Sequence, residues 1–508
     1  MKHKLIFISI ILLSVFLRVY ELDKIPNGIY ADELSSGYDA YSVMKTGSDR
    51  YGIFMPILFR SFDDYIPGFY NFSIIPFLNF GLNAFTIRLP AAIFGILCIF
   101  LCYSITRKIF NEKIALIAAF FLSISPWHLQ YSRIAFPAIS FLFMFLLGFY
   151  LLLKSLDNLK YLILSSVVLG LTFYTYAISK LFIPLFVISF FIIYRKKFDF
   201  KILKENYKVI IISFIILILI SFLPFYLTFY GKGNERFQEL SIFNKDISNP
   251  ASVFIKNYIS YYSPDFLFFE GDSNLRHSIK NIGQLYWFDF PLVLTGLILI
   301  LFNIKKEKKR KKKKKEGNKL LLLWLLIFPV AAALTNEGNP HATRALIGVP
   351  VFIILSSCGF YHICNYILKK DKKILKILLM IFILSSIFNI GYYFKNYYID
   401  YPRYSKDLFQ ARLDESFEYL EKNKQDYDKV IISDSILPET EIYILFYTKL
   451  DPESYQKYGL GKSKYKVDNV WINDYDKDNL YLVMPYEFKN LSGKIIYYSD
   501  GEEAFKII

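Results

Sequence analysis

The sequence predicts a polytopic α-helical membrane protein that ends in a small soluble α/β domain. Of its 508 residues, 54% are hydrophobic, whereas ordinary soluble domains have about 45–50% apolar residues. These residues come in long runs with few charges, and a run of about 18 or more can cross a bilayer as a helix. After residue 394 the composition becomes mixed and highly charged, which marks the second domain.

Eleven apolar segments predict about eleven transmembrane helices. Their approximate ranges are 5–20, 84–105, 114–126, 136–153, 161–178, 180–194, 209–230, 285–302, 320–335, 345–368 and 374–394. The first is predicted to be retained, because Arg18 stands where a signal peptide would have its small-residue cleavage site. Two segments, 114–126 and 180–194, are short, which is typical of helices that end in a cavity inside the protein.

Basic residues predict the orientation. Counted from an inside N-terminus, every loop assigned to the inside is basic, as the positive-inside rule requires. The run Lys305–Lys319 holds eleven Lys or Arg and two Glu, so a cytoplasmic loop accounts for much of the net charge of +16 without nucleic acid. We expect a multi-pass protein of a prokaryotic plasma (inner) membrane, in contact with membrane lipids. The loops 21–83 and 231–284 are then extracytoplasmic.

The C-terminal part, residues 395–508, is predicted to be an extracytoplasmic α/β domain that follows a membrane domain of residues 1–394. It holds 21 acidic and 16 basic residues. Helical periodicity covers 408–420, and the segments 429–433, 480–484 and 494–498 are typical of strands. The four cysteines of the chain lie in apolar segments without metal-ligand spacing, which predicts core positions.

Two acidic clusters follow the first predicted helix. They are Asp32-Glu33 and Asp63-Asp64, the second followed by Tyr65. Carboxylates at a membrane boundary are costly unless they are solvated, paired or used in chemistry. Asp32 also precedes a helical stretch and fits a helix cap. The cap and a chemical role are compatible in a partly exposed site, whereas Asp63 is predicted to be solvated.

Several motifs together resemble the family of protein O-mannosyltransferases and lipid A aminoarabinose transferases, which are membrane glycosyltransferases of the C superfamily (GT-C). The motifs are Asp32-Glu33, the segment 63–67, Phe85-Thr86-Ile87-Arg88-Leu89-Pro90, and Ser125-Pro126-Trp127-His128 with Ser132-Arg133. The bacterial branch is further suggested by Tyr174-Thr175-Tyr176 with Lys180, and by Pro340-His341-Ala342-Thr343-Arg344. The resemblance covers about 5–394 and is most specific over 25–140.

The resemblance implies a GT-C-like fold and an inverting enzyme. Such an enzyme moves a hexose or pentose from a polyprenyl phosphate to a protein, glycolipid or cell-wall polymer on the outer face. Asp32 matches the catalytic carboxylate of the family, and Asp64 matches its second acidic position. Tyr65 stands where the aminoarabinose branch has a Lys that contacts the donor phosphate. Phosphate recognition is therefore expected to use other cations.

The chemistry of this transfer assigns roles to the candidate residues. A carboxylate must take the proton of the acceptor hydroxyl, and the leaving phosphate needs cations or oriented donors. Asp32 is the predicted base, Glu33 an orienting residue of the catalytic set, and Asp64 a residue that positions the acceptor or sugar. Arg133, Lys180 and Arg344 are the rival phosphate ligands. For Arg133, the alternative is an interfacial residue whose guanidinium reaches the lipid headgroups.

The remaining candidates concern substrate contacts and metals. His128, Tyr65 and Tyr176 are placed among the substrate-binding residues, and Trp127, Tyr174 and Tyr176 also fit an interfacial aromatic belt. His128 and His341 are potential metal ligands, but no third ligand has suitable spacing, so no metal and no cofactor are expected. The loop 231–284 is predicted to cover the donor site as a lid, with Asp265 and Asp272 on the acceptor side.

Two other functions were weighed. A transporter or flippase for a lipid-linked glycan would carry charges in the middle of its spans, whereas this chain keeps its charges at helix ends and in loops. A non-catalytic scaffold that displays the C-terminal domain is the second alternative. Specific binding of a polyprenyl phosphate would argue against a scaffold, and intact activity after an alanine change at Asp32 would favour it.

Overall fold

The computed structural model describes residues 2–62, 64–198, 200–231, 235–244, 247–306, 312–370, 373–436, 439–470 and 475–508. Helices predominate up to residue 404. In chain order the elements of this part are α1 (Lys2–Val19), α2 (Ala31–Thr46), β1 (Leu58–Ser61), β2 (Asp64–Pro67), α3 (Phe69–Ile74), α4 (Ala84–Ile109), α5 (Glu112–Ile124), α6 (Pro126–Tyr131), α7 (Ala138–Ser155), α8 (Tyr161–Thr172), α9 (Ser179–Tyr194), α10 (Phe200–Glu205), α11 (Tyr207–Tyr230), α12 (Glu235–Leu240), α13 (Pro250–Ser260), α14 (Asp289–Lys306), α15 (Lys312–Ile327), α16 (Val330–Ala333), α17 (Ala342–Ala345), α18 (Val349–Lys369), α19 (Lys373–Lys395) and α20 (Tyr401–Tyr404).

Six helical stretches of the described part are long and apolar enough to cross a membrane. They are Ala84–Ile109, Ala138–Ser155, Tyr207–Tyr230, Lys315–Ala333, Ala342–Lys369 and Lys373–Tyr404. The other five predicted spans also contain helices (α1, α5, α8, α9 and α14), but these are shorter or carry more charged residues. A multi-pass helical membrane protein is confirmed, whereas the count of eleven spans stays a prediction.

The short predicted span near 114–126 is a helix of 13 residues, α5. It ends before Pro126, which begins α6, and all six residues of α6 are buried. The chain therefore stays inside the protein after α5 ends. There, the surrounding protein can supply hydrogen-bond partners for irregular backbone at membrane depth.

The C-terminal part forms a mixed five-stranded sheet with helices. Its elements are α21 (Leu413–Asn423), β3 (Val430–Ser433), α22 (Thr440–Thr448), α23 (Pro452–Tyr458), β4 (Tyr465–Asp468), β5 (Leu480–Val483), β6 (Lys494–Tyr497) and β7 (Glu503–Ile507). The strand order is β4-β3-β5-β7-β6, with β3 parallel to β4 and β5, and β7 antiparallel to β5 and β6. Three of these strands coincide with the predicted ones, and the sequence analysis missed β4 and β7. The domain boundary at 395 stays a prediction.

The C-terminal part packs on α2, the helix that begins at the predicted catalytic motif. Tyr38 of α2 donates its hydroxyl to the Leu450 carbonyl at 2.8 Å. The Gln456 amide of α23 donates to the hydroxyls of Ser42 and Thr46 at 3.1 and 3.0 Å. One end of α2 carries Asp32, so the C-terminal domain lies beside the candidate site.

A glycine in the loop before α2 makes a second close contact with the C-terminal half. Gly28 has φ of +92°, and a Cβ there would lie 2.1 Å from the Phe409 carbonyl oxygen. We expect Gly28→Ala to lower the thermal unfolding temperature more than Gly52→Ala. Gly52 has φ of +81° with open space around it, so that variant carries only the backbone strain of about 1–3 kcal/mol. Equal losses in the two variants, measured by thermal unfolding in detergent, would contradict this contact.

Candidate active site

Asp32 lies in the first turn of α2, at the boundary with the C-terminal domain. It is half-buried, and its negative charge acts on the phenols of Tyr30 and Tyr443. The helix begins two residues earlier than a cap at Asp32 would require. Tyr30 is the capping residue, and the Glu33 carboxylate accepts the Tyr30 backbone N–H at 3.2 Å. Glu33, not Asp32, therefore supports the helix terminus.

A cation faces this turn. The guanidinium carbon of Arg276 lies 4.1 Å from the centre of the Tyr30 ring. Burial raises the pKa of Tyr30, the charge of Asp32 raises it further, and Arg276 opposes both effects. The arrangement brings a carboxylate and a guanidinium to the same phenol, although Asp32 and Arg276 are 244 positions apart in the chain.

Glu33 is fully buried and engaged on all sides. Its two carboxylate oxygens accept Nε and Nη2 of Arg88, both at 2.9 Å, and one of them also accepts the Ala135 N–H at 2.8 Å. Arg88 in turn donates to the carbonyls of Leu22, Pro26 and Gly28 at 3.2, 3.0 and 2.6 Å. The pair ties the loop before α2 to α4, so Glu33 orients the turn that carries Asp32.

Arg133 is not placed as a phosphate ligand. Its buried guanidinium donates to the carbonyls of Leu17, Glu21 and Ile25 at 2.9, 3.0 and 3.1 Å, and to the Tyr397 hydroxyl at 3.1 Å. Arg133 thereby links the C-terminal end of α1 to the helical segment around Tyr397, which precedes the C-terminal domain. The sequence alone could not distinguish this role from phosphate binding, because backbone carbonyls leave no residue pattern.

His128 is likewise an internal residue. It is fully buried in α6, and its Nδ1 lies 2.8 Å from the Arg18 guanidinium of α1. This location does not expose the imidazole to a substrate. Trp127 is also buried and donates its indole N–H to the Ala342 carbonyl at 3.1 Å, so it does not belong to an interfacial belt.

The second acidic motif lies on the hairpin of β1 and β2. Asp64 is the first residue of β2 and pairs with Ser61 across the hairpin. The Ser61 hydroxyl lies 3.4 Å from that of Ser35, one helical turn beyond Asp32. The backbone of Asp64 is therefore close to the beginning of α2. Tyr65 follows it in the strand and is half-buried. Residue 63 and the side chain of Asp64 lie outside the described part of the chain.

The other two predicted phosphate ligands differ in their surroundings. Arg344 donates to the Glu337 carboxylate at 2.6 Å and to the Thr335 hydroxyl at 2.7 Å, so it already has an anionic partner. Lys180 is half-buried at the start of α9, and within the described ranges its side-chain ammonium has no hydrogen bond or ion pair. The Tyr174 carbonyl accepts the backbone N–H of Phe69 at 3.2 Å. This hydrogen bond links the segment before Lys180 to the region after β2.

His341 and Tyr176 lie in another polar cluster. Tyr176 packs against Phe141 at 6.3 Å between ring centres. His341 does not approach His128. It stacks against His277 at 4.5 Å between ring centres, and Asp272 lies beside both. Sequence spacing offered no third ligand beside His128 and His341, whereas in space His341 lies near Asp272 and His277 of the loop 231–284. The expectation that no metal is bound stays a prediction. Asp265 begins a single π-helical turn of that loop.

A cavity of about 680 Å³ lies in the C-terminal domain along the edge strand β4. Its lining includes Glu439, three lysines (Lys429, Lys464 and Lys466) and Tyr465. The charge of Glu439 also reaches Tyr30 and Tyr443, the two phenols beside Asp32. One end of the cavity is thus close to the candidate catalytic turn.

Comparison with known proteins agrees with this fold. Residues 70–225 match the family model described as dolichyl-phosphate-mannose-protein mannosyltransferase. ArnT from Cupriavidus metallidurans in its apo state is 12% identical, with a TM-score of 0.56 over 99% of this chain and 97% of ArnT. The Archaeoglobus fulgidus oligosaccharyltransferase is 12% identical, with a TM-score of 0.53 over 99% of this chain and 74% of the other. The chain therefore shares the fold of ArnT and of this oligosaccharyltransferase. The resemblance predicted from the sequence is confirmed.

The shared fold extends over nearly the whole chain, including the C-terminal part. A comparison with curated protein sequences finds no match. ArnT has also been solved bound to undecaprenyl phosphate, at 10% identity and a TM-score of 0.55 over 99% of this chain and 97% of ArnT.

Sequence reasoning missed Arg276 as a site residue. It stands in a polar loop with no motif around it, far from Asp32 in sequence. Its neighbour His277 and the nearby Asp272 were the available signals, because a cluster of Asp, Arg and His in one loop is typical of a functional site. Tyr30 was missed for another reason: aromatic residues are common at membrane boundaries, so one Tyr carries little information.

Proposed function

We propose that this protein is an inverting glycosyltransferase that moves a sugar from a polyprenyl phosphate to an acceptor on the outer face of the membrane. The observation that carries the proposal is the turn at the start of α2. There Asp32, a carboxylate, and Arg276, a guanidinium, act on the same Tyr30 ring in a chain with the GT-C fold.

Asp32 is the proposed general base. A half-buried carboxylate at this boundary can take the proton of an acceptor hydroxyl as that oxygen attacks the anomeric carbon. Attack opposite the leaving phosphate inverts the configuration of the sugar, as in inverting glycosidases. Glu33 keeps the turn in place through Arg88, and Asp64 on the neighbouring hairpin is proposed to position the acceptor or sugar.

Arg276 and Lys180 are the proposed cations for the leaving phosphate. Both differ from Arg133, whose guanidinium is occupied by carbonyls, and from Arg344, which is paired with Glu337. An Arg fork suits phosphate oxygens, and a half-buried Lys gains from an anion nearby. The donor is a lipid-linked sugar phosphate, so the reaction as proposed uses no nucleotide and no cofactor.

The proposed topology has eleven membrane crossings, a cytoplasmic N-terminus and an extracytoplasmic C-terminal domain. It is supported by basic inside loops and by the eleven helices at the predicted spans. The acceptor, a protein, glycolipid or cell-wall polymer, is proposed to approach through the cavity beside β4. Glu439 supports this, because it lines that cavity and its charge reaches the phenols beside Asp32.

The purified full-length protein in detergent tests the proposal with a panel of radiolabelled polyprenyl-phosphate hexoses and pentoses. We expect sugar transfer, or slow hydrolysis without acceptor, from at least one donor. Direct binding of the unglycosylated polyprenyl phosphate is measured in parallel. A protein that neither uses any donor nor binds the lipid phosphate would overturn the proposal.

Arg276→Gln tests the phosphate role. The variant keeps a polar side chain without charge, and we expect kcat/KM for the donor to fall about 10- to 100-fold, the range of a lost charge-assisted hydrogen bond of about 1.5–3 kcal/mol. Lys280→Gln is the matched control, because Lys280 is an exposed cation of the same loop. An Arg276→Gln enzyme with the donor kinetics of the control would remove Arg276 from the site.

A further inference from the structure

We infer that Arg50 is a positioning residue that fixes the hairpin of β1 and β2 against α2. Through this contact it sets where the backbone of Asp64 lies relative to the turn that carries Asp32. Arg50 is 3% exposed and stands in the loop between α2 and β1. Its role in the reaction rests on the proposed function, whereas its contact with the two elements does not.

The guanidinium of Arg50 joins the two elements directly. Its Nη1 donates to the Ser35 hydroxyl of α2 at 2.7 Å, and its Nη2 donates to the Arg60 carbonyl of β1 at 3.1 Å. Ser35 lies one helical turn beyond Asp32. Arg60 directly precedes the residue that pairs with Asp64 across the hairpin. One side chain therefore links the two segments that carry the acidic motifs.

A buried carboxylate holds Arg50 in this orientation. The Asp39 Oδ2 lies 3.4 Å from Nη1, and its Oδ1 accepts the Arg50 backbone N–H at 3.3 Å. Asp39 is 1% exposed and follows Ser35 by one turn of α2. A buried ion pair is weak evidence for stability, because apolar residues of similar volume are often as stable. The pair is better explained by orientation, since the planar guanidinium can donate to two different elements at once.

The loop that carries Arg50 is held by contacts of its own. The Asp49 carboxylate accepts the backbone N–H groups of Tyr51 and Ile53 at 3.0 and 2.9 Å. The Gln456 amide of α23 donates to the Asp49 carbonyl at 2.8 Å. The position of Arg50 is therefore set by this loop and by the C-terminal domain, and the hairpin is placed by Arg50.

Hydrogen–deuterium exchange of the full-length protein in detergent tests the contact. Arg50→Lys keeps a positive charge beside Asp39, but an ammonium lacks the planar fork that reaches both elements. We expect the amides of residues 58–67 to exchange about tenfold or more faster than in wild type, as for a lost charge-assisted hydrogen bond. Lys45→Gln is the matched control, because Lys45 is an exposed cation of α2. It should leave the hairpin as protected as in wild type.

Ser35→Ala is a second variant, in case Arg50→Lys fails to fold. Alanine is the best helix former, and the change removes only the hydroxyl that accepts Nη1. It should also speed exchange of the hairpin, by a smaller factor, because the Arg60 carbonyl still accepts Nη2. Exchange of residues 58–67 at the wild-type rate in Arg50→Lys, or in Ser35→Ala if only that variant folds, would overturn the inference.

Sugar transfer tests the role of Arg50 in the reaction, with a labelled polyprenyl-phosphate donor that the wild type uses. We expect Arg50→Lys to lower kcat about 10- to 100-fold, the range for a misplaced positioning group. The Kd for unglycosylated polyprenyl phosphate should stay that of wild type, whereas a general loss of structure would weaken binding and turnover together.

The two readouts separate the contact from the proposed function. Faster exchange of the hairpin in Arg50→Lys with an unchanged kcat would overturn the positioning role. Faster exchange in that variant, together with a wild type that uses no donor and binds no polyprenyl phosphate, would support the contact and overturn the proposed function.

Discussion

Asp32→Asn is expected to lower sugar transfer about a hundredfold or more. Asparagine keeps the shape of aspartate and part of its hydrogen bonding but cannot take a proton, and a positioned general base contributes about 10²–10⁴-fold. The measurement compares turnover of purified wild type and variant from the same labelled polyprenyl-phosphate donor. Because Glu33, and not Asp32, supports the start of α2, the variant should fold normally.

The matched control for this experiment is Asp23→Asn, a change of an exposed carboxylate in the segment that precedes α2. It should leave turnover unchanged. Thermal unfolding and polyprenyl-phosphate binding of Asp32→Asn should equal those of wild type, so that the loss is assigned to the chemical step. Equal turnover in wild type and Asp32→Asn would move the base to Asp64, because the Glu33 carboxylate is held by Arg88.

The helical framework was predictable because long apolar runs can satisfy their backbone in lipid only as helices. The predicted spans therefore coincide with helices in the structure. Helix ends were less predictable. The predicted span 136–153 begins as a helix only at Ala138, after Pro137, and the span 161–178 ends at Thr172. These ends depend on how neighbouring segments pack, which composition does not encode.

For the candidate site, the sequence alone could select acidic candidates but could not rank the basic ones. Asp32 could be selected because its motif stands next to the first helix. The cations could not be ranked, since Arg133, Arg344 and Arg276 look alike in sequence. Only contacts distinguish them: Arg133 donates to carbonyls, Arg344 pairs with Glu337, and Arg276 faces the turn of Asp32. Partners from distant loops decide which charge is available for a ligand.

Arg88→Met is expected to cause the largest loss of stability of any change discussed. Both Arg88 and Glu33 are fully buried, and they form a two-point ion pair. Removing one partner leaves a buried carboxylate without its cation, which costs about 3–5 kcal/mol. The change also removes the donors to the carbonyls of the loop before α2. We expect a marked fall in the thermal unfolding temperature in detergent, together with loss of turnover.

The double variant Glu33→Gln/Arg88→Met separates the charge from the packing. Glutamine has one acceptor oxygen and so keeps only one of the two N–H partners, Ala135 or Tyr30, but no uncompensated charge remains in the interior. The double variant should therefore be more stable than the single variant Arg88→Met, even though it carries one more substitution. Two independent destabilisations that simply add would argue that the pair is not coupled. A coupled pair would support the interpretation that Glu33 holds the turn of Asp32, because its carboxylate is bound to Arg88.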